Sequence, residues 1–213
     1  MPPIPDLSDY ISRHDSYQQY ISLAIVLAGI FAVGIGRLPG RGVRLPRRFQ
    51  LWHIVLIGGL IRWPLMDQDY WYDETFTSAI TSLGWGRMWT VIQGDVHPPL
   101  YYGLVKLTTL IFGDGDVAMR LPAFASGLAL IVVMKRIGTI HGGKTVGRWA
   151  ALITAILPAT AYYSTEARYP AFLALMLATA YLGIQRRSNG LTALPLTVAA
   201  LTHVNGWFYV AAR

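Results

Sequence analysis

Two adjacent carboxylates, Asp73 and Glu74, follow the aromatic run Tyr70-Trp71-Tyr72, and the chain continues to His97-Pro98-Pro99-Leu100-Tyr101-Tyr102. A carboxylate in an aromatic, interfacial loop is partly desolvated, which raises its pKa and makes it a useful proton acceptor. An adjacent pair can instead share a divalent ion, or it can be an ordinary hydrated pair of loop acids. Two prolines either aim His97 rigidly into a site shared with the acids or simply mark the start of a helix, where proline is well tolerated. A third stretch, Tyr162-Tyr163-Ser164-Thr165-Glu166-Ala167-Arg168-Tyr169-Pro170, carries Glu166 and Arg168. The arginine fork suits a phosphate group, although the two charges could also neutralise each other. Arg120, in Arg120-Leu121-Pro122, and Arg62 lie at a similar depth relative to the apolar segments. Three such arginines together would hold an anionic headgroup; separately, each would snorkel to the surface. His203 and Asn205 occur near the end of the last apolar segment, where polar side chains face either a wet cavity or a neighbouring helix.

The elements that must position these residues are apolar blocks. Hydrophobic residues make up 54% of the 213-residue chain and charged residues 14%, against about 25% charged in a typical soluble domain. The composition predicts an all-α protein, a polytopic transmembrane helical bundle of about six spans. The candidate spans are 20–36, 50–66, 119–134, 149–165, 169–185 and 191–210. We expect one transmembrane domain over 1–213, in which 1–49 adds an extra span and a basic loop to a core at 50–213.

The formal charge of +7 does not indicate nucleic-acid binding. Most bases fall in three stretches: Arg37, Arg41, Arg44, Arg47 and Arg48; Lys135, Arg136, Lys144 and Arg148; and Arg186 and Arg187. Each stretch lies between apolar segments, the distribution expected of cytoplasmic loops attracted to anionic headgroups. Alternation then places the N-terminus, 67–118 and 164–168 on the extracytoplasmic side. All the acids, from Asp6, Asp9 and Asp15 to Glu166, share that side. Acidic residues contribute little to orientation, so their segregation is independent support. The segment 98–112 is apolar but short, and counting it as a span would invert the basic loop that follows. It is expected to be an interfacial or re-entrant helix within a long, aromatic-rich outer loop. There is no cysteine, which excludes thiol catalysis and disulfides. The polar, acid-containing first residues do not resemble a cleavable signal peptide.

Taken in order, Tyr72-Asp73-Glu74-Thr75-Phe76-Thr77, His97-Pro98-Pro99-Leu100-Tyr101-Tyr102, Phe112-Gly113, Met119-Arg120-Leu121-Pro122, Ser164-Thr165-Glu166-Ala167-Arg168-Tyr169 and Thr202-His203 carry a resemblance. The chain resembles the N-terminal portion of polytopic glycosyltransferases that use polyprenyl-phosphate sugars, the superfamily of protein O-mannosyltransferases and aminoarabinose transferases. The resemblance implies sugar transfer from a polyprenyl-phosphate donor to a protein, lipid or glycan acceptor on the extracytoplasmic face of a cell or inner membrane. It implies Asp73 as catalytic base with Glu74 beside it, and Arg168 and Arg120 on the carrier phosphate. Substrate contacts are expected from His97, Glu166, Tyr169 and His203. No cofactor is required by the resemblance as a whole; a divalent ion, where relatives use one, would fall to Asp73 and Glu74. Family members normally continue with further helices, so the chain is expected to be truncated relative to them. The alternatives are a non-catalytic lipid-binding subunit, half of a split enzyme working with a second membrane subunit, or an anionic-lipid transporter. A transporter should place charge near mid-bilayer, and here charge gathers at the boundary.

Overall fold

A computed structural model describes residues 50–95, 97–204 and 206–207. The expected span 20–36, the basic loop before Leu51 and Asn205 lie outside these residues. The described candidate site residues all fall in one compact unit, Leu45–Ile156 with Thr160–Arg213. Among the described residues every regular element is helical: α1 (Leu51–Arg62), followed by a 3-10 turn at Trp63–Leu65, α2 (Tyr72–Ser82), α3 (Trp85–Ile92), α4 (Leu100–Phe112), α5 (Asp116–Ile156), α6 (Pro158–Tyr163), α7 (Pro170–Gln185) and α8 (Asn189–Ala200).

The 41-residue α5 would be about 60 Å long if straight, twice a hydrocarbon core. It is not straight. Gly142 and Gly143 leave helical geometry, with Gly143 at φ 77°, a left-handed conformation that glycine tolerates. A Cβ on Gly138 would meet Ala150, and one on Gly147 would meet the Lys135 carbonyl. Residues twelve apart along one helix would be about 18 Å apart, so the two limbs, 116–141 and 144–156, fold back against each other. The basic stretch expected as a loop at 135–148 is therefore a tight helical elbow. Ile131 on the first limb packs with Ala151 and Ala155 on the second and with Ile54 of α1, forming one apolar core. Among the described residues α5 alone is long and apolar enough to cross a membrane by length and composition; α1 with its 3-10 turn, α4 and α7 are shorter apolar helices.

Two further differences from expectation bear on the site, and one short helix falls where it was expected. Asp73 and Glu74 open α2 rather than a loop, and acids in a first helical turn are favoured by the exposed N–H groups there. α4 begins directly after Pro98-Pro99 and ends at Gly113, φ 91°; at thirteen residues it is about 20 Å long. The expected span 191–210 stops early, because α8 ends at Ala200 and the chain turns through Leu201–Val204. Helix α4 packs on α5 and carries α2 with it, while α7 packs against both α5 and α8. The pocket lies at the end of the bundle where α2, α4 and the turn between α6 and α7 meet.

Candidate active site

The Asp73 carboxylate meets the Arg168 guanidinium, Oδ2 to Nη2, at 2.9 Å. Their side chains are 37% and 19% exposed, so both remain open to a ligand. The Arg168 guanidinium lies 4.9 Å from the ring centroid of Trp71 and 5.7 Å from that of Tyr169. Asp73 and Arg168 both line an open cavity. Phe76 and Thr77 line it from α2, His97 and Pro98 precede α4, Tyr101 and Tyr102 belong to α4, and Thr202 comes from the turn after α8.

Glu74 has a different role from its neighbour. It is buried and takes both forks of Arg120, Nε to Oε1 at 2.8 Å and Nη2 to Oε2 at 2.9 Å. It also accepts the Ala167 backbone N–H at 2.6 Å. Arg120, 1% exposed, donates its remaining reach to the Met66 and Gln68 carbonyls at 2.9 and 2.8 Å. A buried charge pair is tolerable only when its other hydrogen-bonding positions are filled, and here they are. Arg120 therefore faces Glu74 and the backbone, not the cavity. Through Ala167, Glu74 fixes the backbone beside Arg168.

Arg62 is likewise sealed. It is fully buried and donates to the carbonyls of Gly58, Ala155 and Thr154 at 2.9, 2.7 and 3.1 Å, and to the Thr160 hydroxyl at 3.3 Å. Pro158 has no N–H to return to the Thr154 carbonyl, and the arginine supplies a donor in its place. Of the three arginines expected together, only Arg168 reaches the cavity.

Of the remaining predicted residues, His97 and Tyr169 line the cavity, whereas His203 and Glu166 are not among its lining residues. The Tyr169 ring stacks on His203 at 4.2 Å, and His97 stands 5.5 Å from Tyr169 and 5.3 Å from His203, centroid to centroid. His97 Nδ1 lies 3.4 Å from Asp95, whose other side accepts the Tyr102 hydroxyl at 2.7 Å. Asp95 and Tyr102 were not singled out by sequence reasoning. The signal was present in the two-residue step from Asp95 to His97, but the tie to Tyr102 passes around a Pro-Pro turn. Glu166 is 3% exposed, and neither oxygen makes a well-formed hydrogen bond, the nearby Tyr162 hydroxyl notwithstanding. Burial pushes its carboxyl up to about 7; Glu74 and Asp73 add repulsion, and Tyr162 and Arg168 pull the other way. The Tyr101 hydroxyl is also buried without a partner. Tyr101 lines the cavity, and its buried, unpaired hydroxyl is a candidate for pairing with a ligand or water.

Asp73 and Glu74 each pair with a different arginine, so they do not present a joint oxygen set to one cation. Among the described residues no group of three His, Asp or Glu side chains is placed to hold a metal ion. Comparison with curated proteins and with solved structures gave no match. The family profile described as dolichyl-phosphate-mannose-protein mannosyltransferase matches residues 96–208, just over half the chain. The matched stretch contains His97, Arg120, Glu166, Arg168, Tyr169 and His203, and begins after Asp73 and Glu74. On that match, and with its all-helical, apolar fold, this chain belongs to that family of membrane glycosyltransferases of the mannosyltransferase type.

Proposed function

We propose that the protein transfers mannose or a related sugar from a polyprenyl-phosphate carrier to an acceptor hydroxyl on the extracytoplasmic face of the membrane. The observation that carries this reading is the Asp73–Arg168 pair, an anion and a cation held together at an open cavity. In the resting protein each neutralises the other. An exposed pair of this kind is worth only about 0–1 kcal/mol, so the phosphate of an incoming donor can displace Asp73 from Arg168 at little cost. The freed carboxylate then accepts the proton of the acceptor hydroxyl. The acceptor oxygen bonds to the sugar C1, the bond from C1 to the phosphate oxygen breaks, and the carrier phosphate leaves with its electron pair against Arg168. Base and cation act on opposite ends of one displacement.

Glu74 and Arg120 are positioning residues in this scheme, holding α2 and the turn at Ala167 in register. His97 and Tyr169 form the wall against which the sugar or acceptor rests, with His203 stacked on Tyr169 and Glu166 buried two positions before Arg168. No step requires a metal ion; an ion used by this protein would have to recruit Asp73 away from Arg168.

The test uses purified protein, a polyprenyl-phosphate mannose donor and radiolabel release to acceptor or water. Asp73→Asn is expected to lower transfer by roughly 10²–10⁴-fold while keeping affinity for polyprenyl phosphate. Arg168→Ala is expected to lose that affinity. Transfer by Asp73→Asn at the wild-type rate would remove Asp73 as the base. Donor binding without transfer by the wild type, over protein, lipid and glycan acceptors, would favour a lipid-binding subunit that acts with a second membrane protein.

A further inference from the structure

The end of the bundle opposite the cavity carries a charge distribution that catalysis does not use. Lys135 and Arg136 approach the α5 elbow on one limb, and Lys144 and Arg148 leave it on the other. Arg186 and Arg187 sit in the turn between α7 and α8, with Arg187 at φ 53°. These two stretches are distant in sequence, yet the Tyr181 hydroxyl lies 2.8 Å from His141 Nε2 and ties α7 to the elbow. Gly183 packs on the backbone of Leu191 and Thr192, which closes the α7–α8 turn tightly beside it.

The elbow and the turn it is tied to thus carry six bases, and among the described residues neither segment holds a carboxylate. Every acid among the described residues, namely Asp67, Asp69, Asp73, Glu74, Asp95, Asp114, Asp116 and Glu166, belongs to the cavity end or to the segments leading into it. There Arg120 and Arg168 are both ion-paired, whereas none of the six bases at the elbow has an ion pair among the described residues. Arg120 and His141 are twenty-one positions apart on one continuous helical limb, about 32 Å. That span matches the hydrocarbon thickness of a bilayer, about 30 Å. Immediately beside the bases, Ile140, Val146, Ile184, Leu191 and Leu194 are exposed. An apolar belt edged by uncompensated cations is complementary to acyl chains edged by anionic headgroups, and to little else.

We propose that the α5 elbow and the α7–α8 turn together form a docking surface for anionic lipid headgroups at the membrane face opposite the cavity. The occupant is the lipid, because the belt and the cations must be satisfied by one ligand; free phosphate would leave the belt bare. This inference stands independently of the proposed transfer reaction.

The test is made on the full chain in detergent, where membrane orientation plays no part. Thermal unfolding is followed while phosphatidylglycerol or phosphatidylcholine of matched acyl chains is added. Phosphatidylglycerol is expected to raise the unfolding temperature further than phosphatidylcholine, and added salt is expected to shrink the excess. A base near an anionic surface is worth about a fivefold preference. The triple variant Lys144→Gln, Arg186→Gln, Arg187→Gln should therefore lose on the order of a hundredfold in apparent affinity for phosphatidylglycerol. Arg87→Gln, which removes an exposed base near the other end, should leave the preference intact. If the triple variant does not fold, Lys135→Gln with Arg136→Gln and the salt titration of the wild type decide the matter. Equal stabilisation by the two lipids, a preference that survives neutralisation, or an equal effect from inorganic phosphate would each overturn the proposal.

Discussion

Adjacent residues on a helix project about 100° apart, and Asp73 and Glu74 show what that separation does. One faces the cavity and Arg168; the other turns into the protein and closes on Arg120. Their substitutions should separate stability from function. Glu74→Ala strands a buried guanidinium and is expected to cost about 3–5 kcal/mol of stability, read as a lower unfolding temperature in detergent. Asp73→Asn breaks a partly exposed pair and should cost less than about 1 kcal/mol, although it is expected to lower transfer by roughly 10²–10⁴-fold. Equal losses of stability would mean that the two carboxylates share one role. Glu166 supplies a pH dependence. Its carboxyl is raised to about 7, first by burial, so the native chain holds a proton that the unfolded chain releases at an ordinary carboxyl pKa of about 4.3. The stability tied to that proton is fully present below about pH 4 and is lost as pH rises through about 7. Glu166→Gln, uncharged throughout, is expected to flatten this decline by on the order of 3 kcal/mol between about pH 5 and pH 8. Parallel pH profiles of unfolding temperature for wild type and variant would show that the carboxyl titrates normally.

Helix positions were legible in the sequence because apolar blocks bounded by Arg, Gly and Pro mark them, but three boundaries were not. The stretch Lys135–His141 reads as a basic loop by charge and carries Gly138, yet it continues the helix, and non-helical backbone begins only at Gly142-Gly143. Asp73 and Glu74 read as loop acids, although a first helical turn is where acids are favoured. The early end of α8 has no comparable marker, since Ala199-Ala200-Leu201 remains apolar. Close packing between elements was also invisible, because it depends on what a glycine faces across a gap. Gly183 faces backbone: a Cβ there would come within 2.5 Å of the Leu191 carbonyl group. Gly183→Ala should therefore force α7 and α8 apart and destabilise the protein by about 1–3 kcal/mol. Gly59, within α1, is different: a Cβ there would meet nothing within 4 Å. Gly59→Ala should be neutral or stabilise by up to about 1 kcal/mol through helix propensity. Paired unfolding curves for the two variants check the contrast, and similar values would show that packing at the α7–α8 turn is loose.

At the scale of the molecule, charge segregation was the most legible property and convergence the least. Segregated charge is a one-dimensional pattern that survives in sequence, and it is what leads us to expect acids and bases on opposite faces. The meeting of Asp73 with Arg168 depends on how α2 seats on α4 and how Glu74 catches Ala167, and no periodicity encodes either. The orientation reading has a direct test, made clean by the lack of native cysteine. Gln93, two positions before the Asp95 that bonds Tyr102, and Thr145, just past the elbow, are both exposed. Neither carries a charge, so replacing either by cysteine leaves the charge asymmetry that orients the chain unaltered. In sealed vesicles, a membrane-impermeant maleimide should label one of Gln93→Cys and Thr145→Cys and leave the other unmodified until the vesicles are permeabilised. Added to cells from outside, the reagent should reach Gln93→Cys. The helical limb between the two ends is about as long as the hydrocarbon layer is thick, so a chain lying flat on one surface would expose both positions at once. Labelling of both cysteines in intact, uniformly oriented vesicles would therefore defeat the spanning arrangement, and with it the placement of the cavity and the basic elbow on opposite faces.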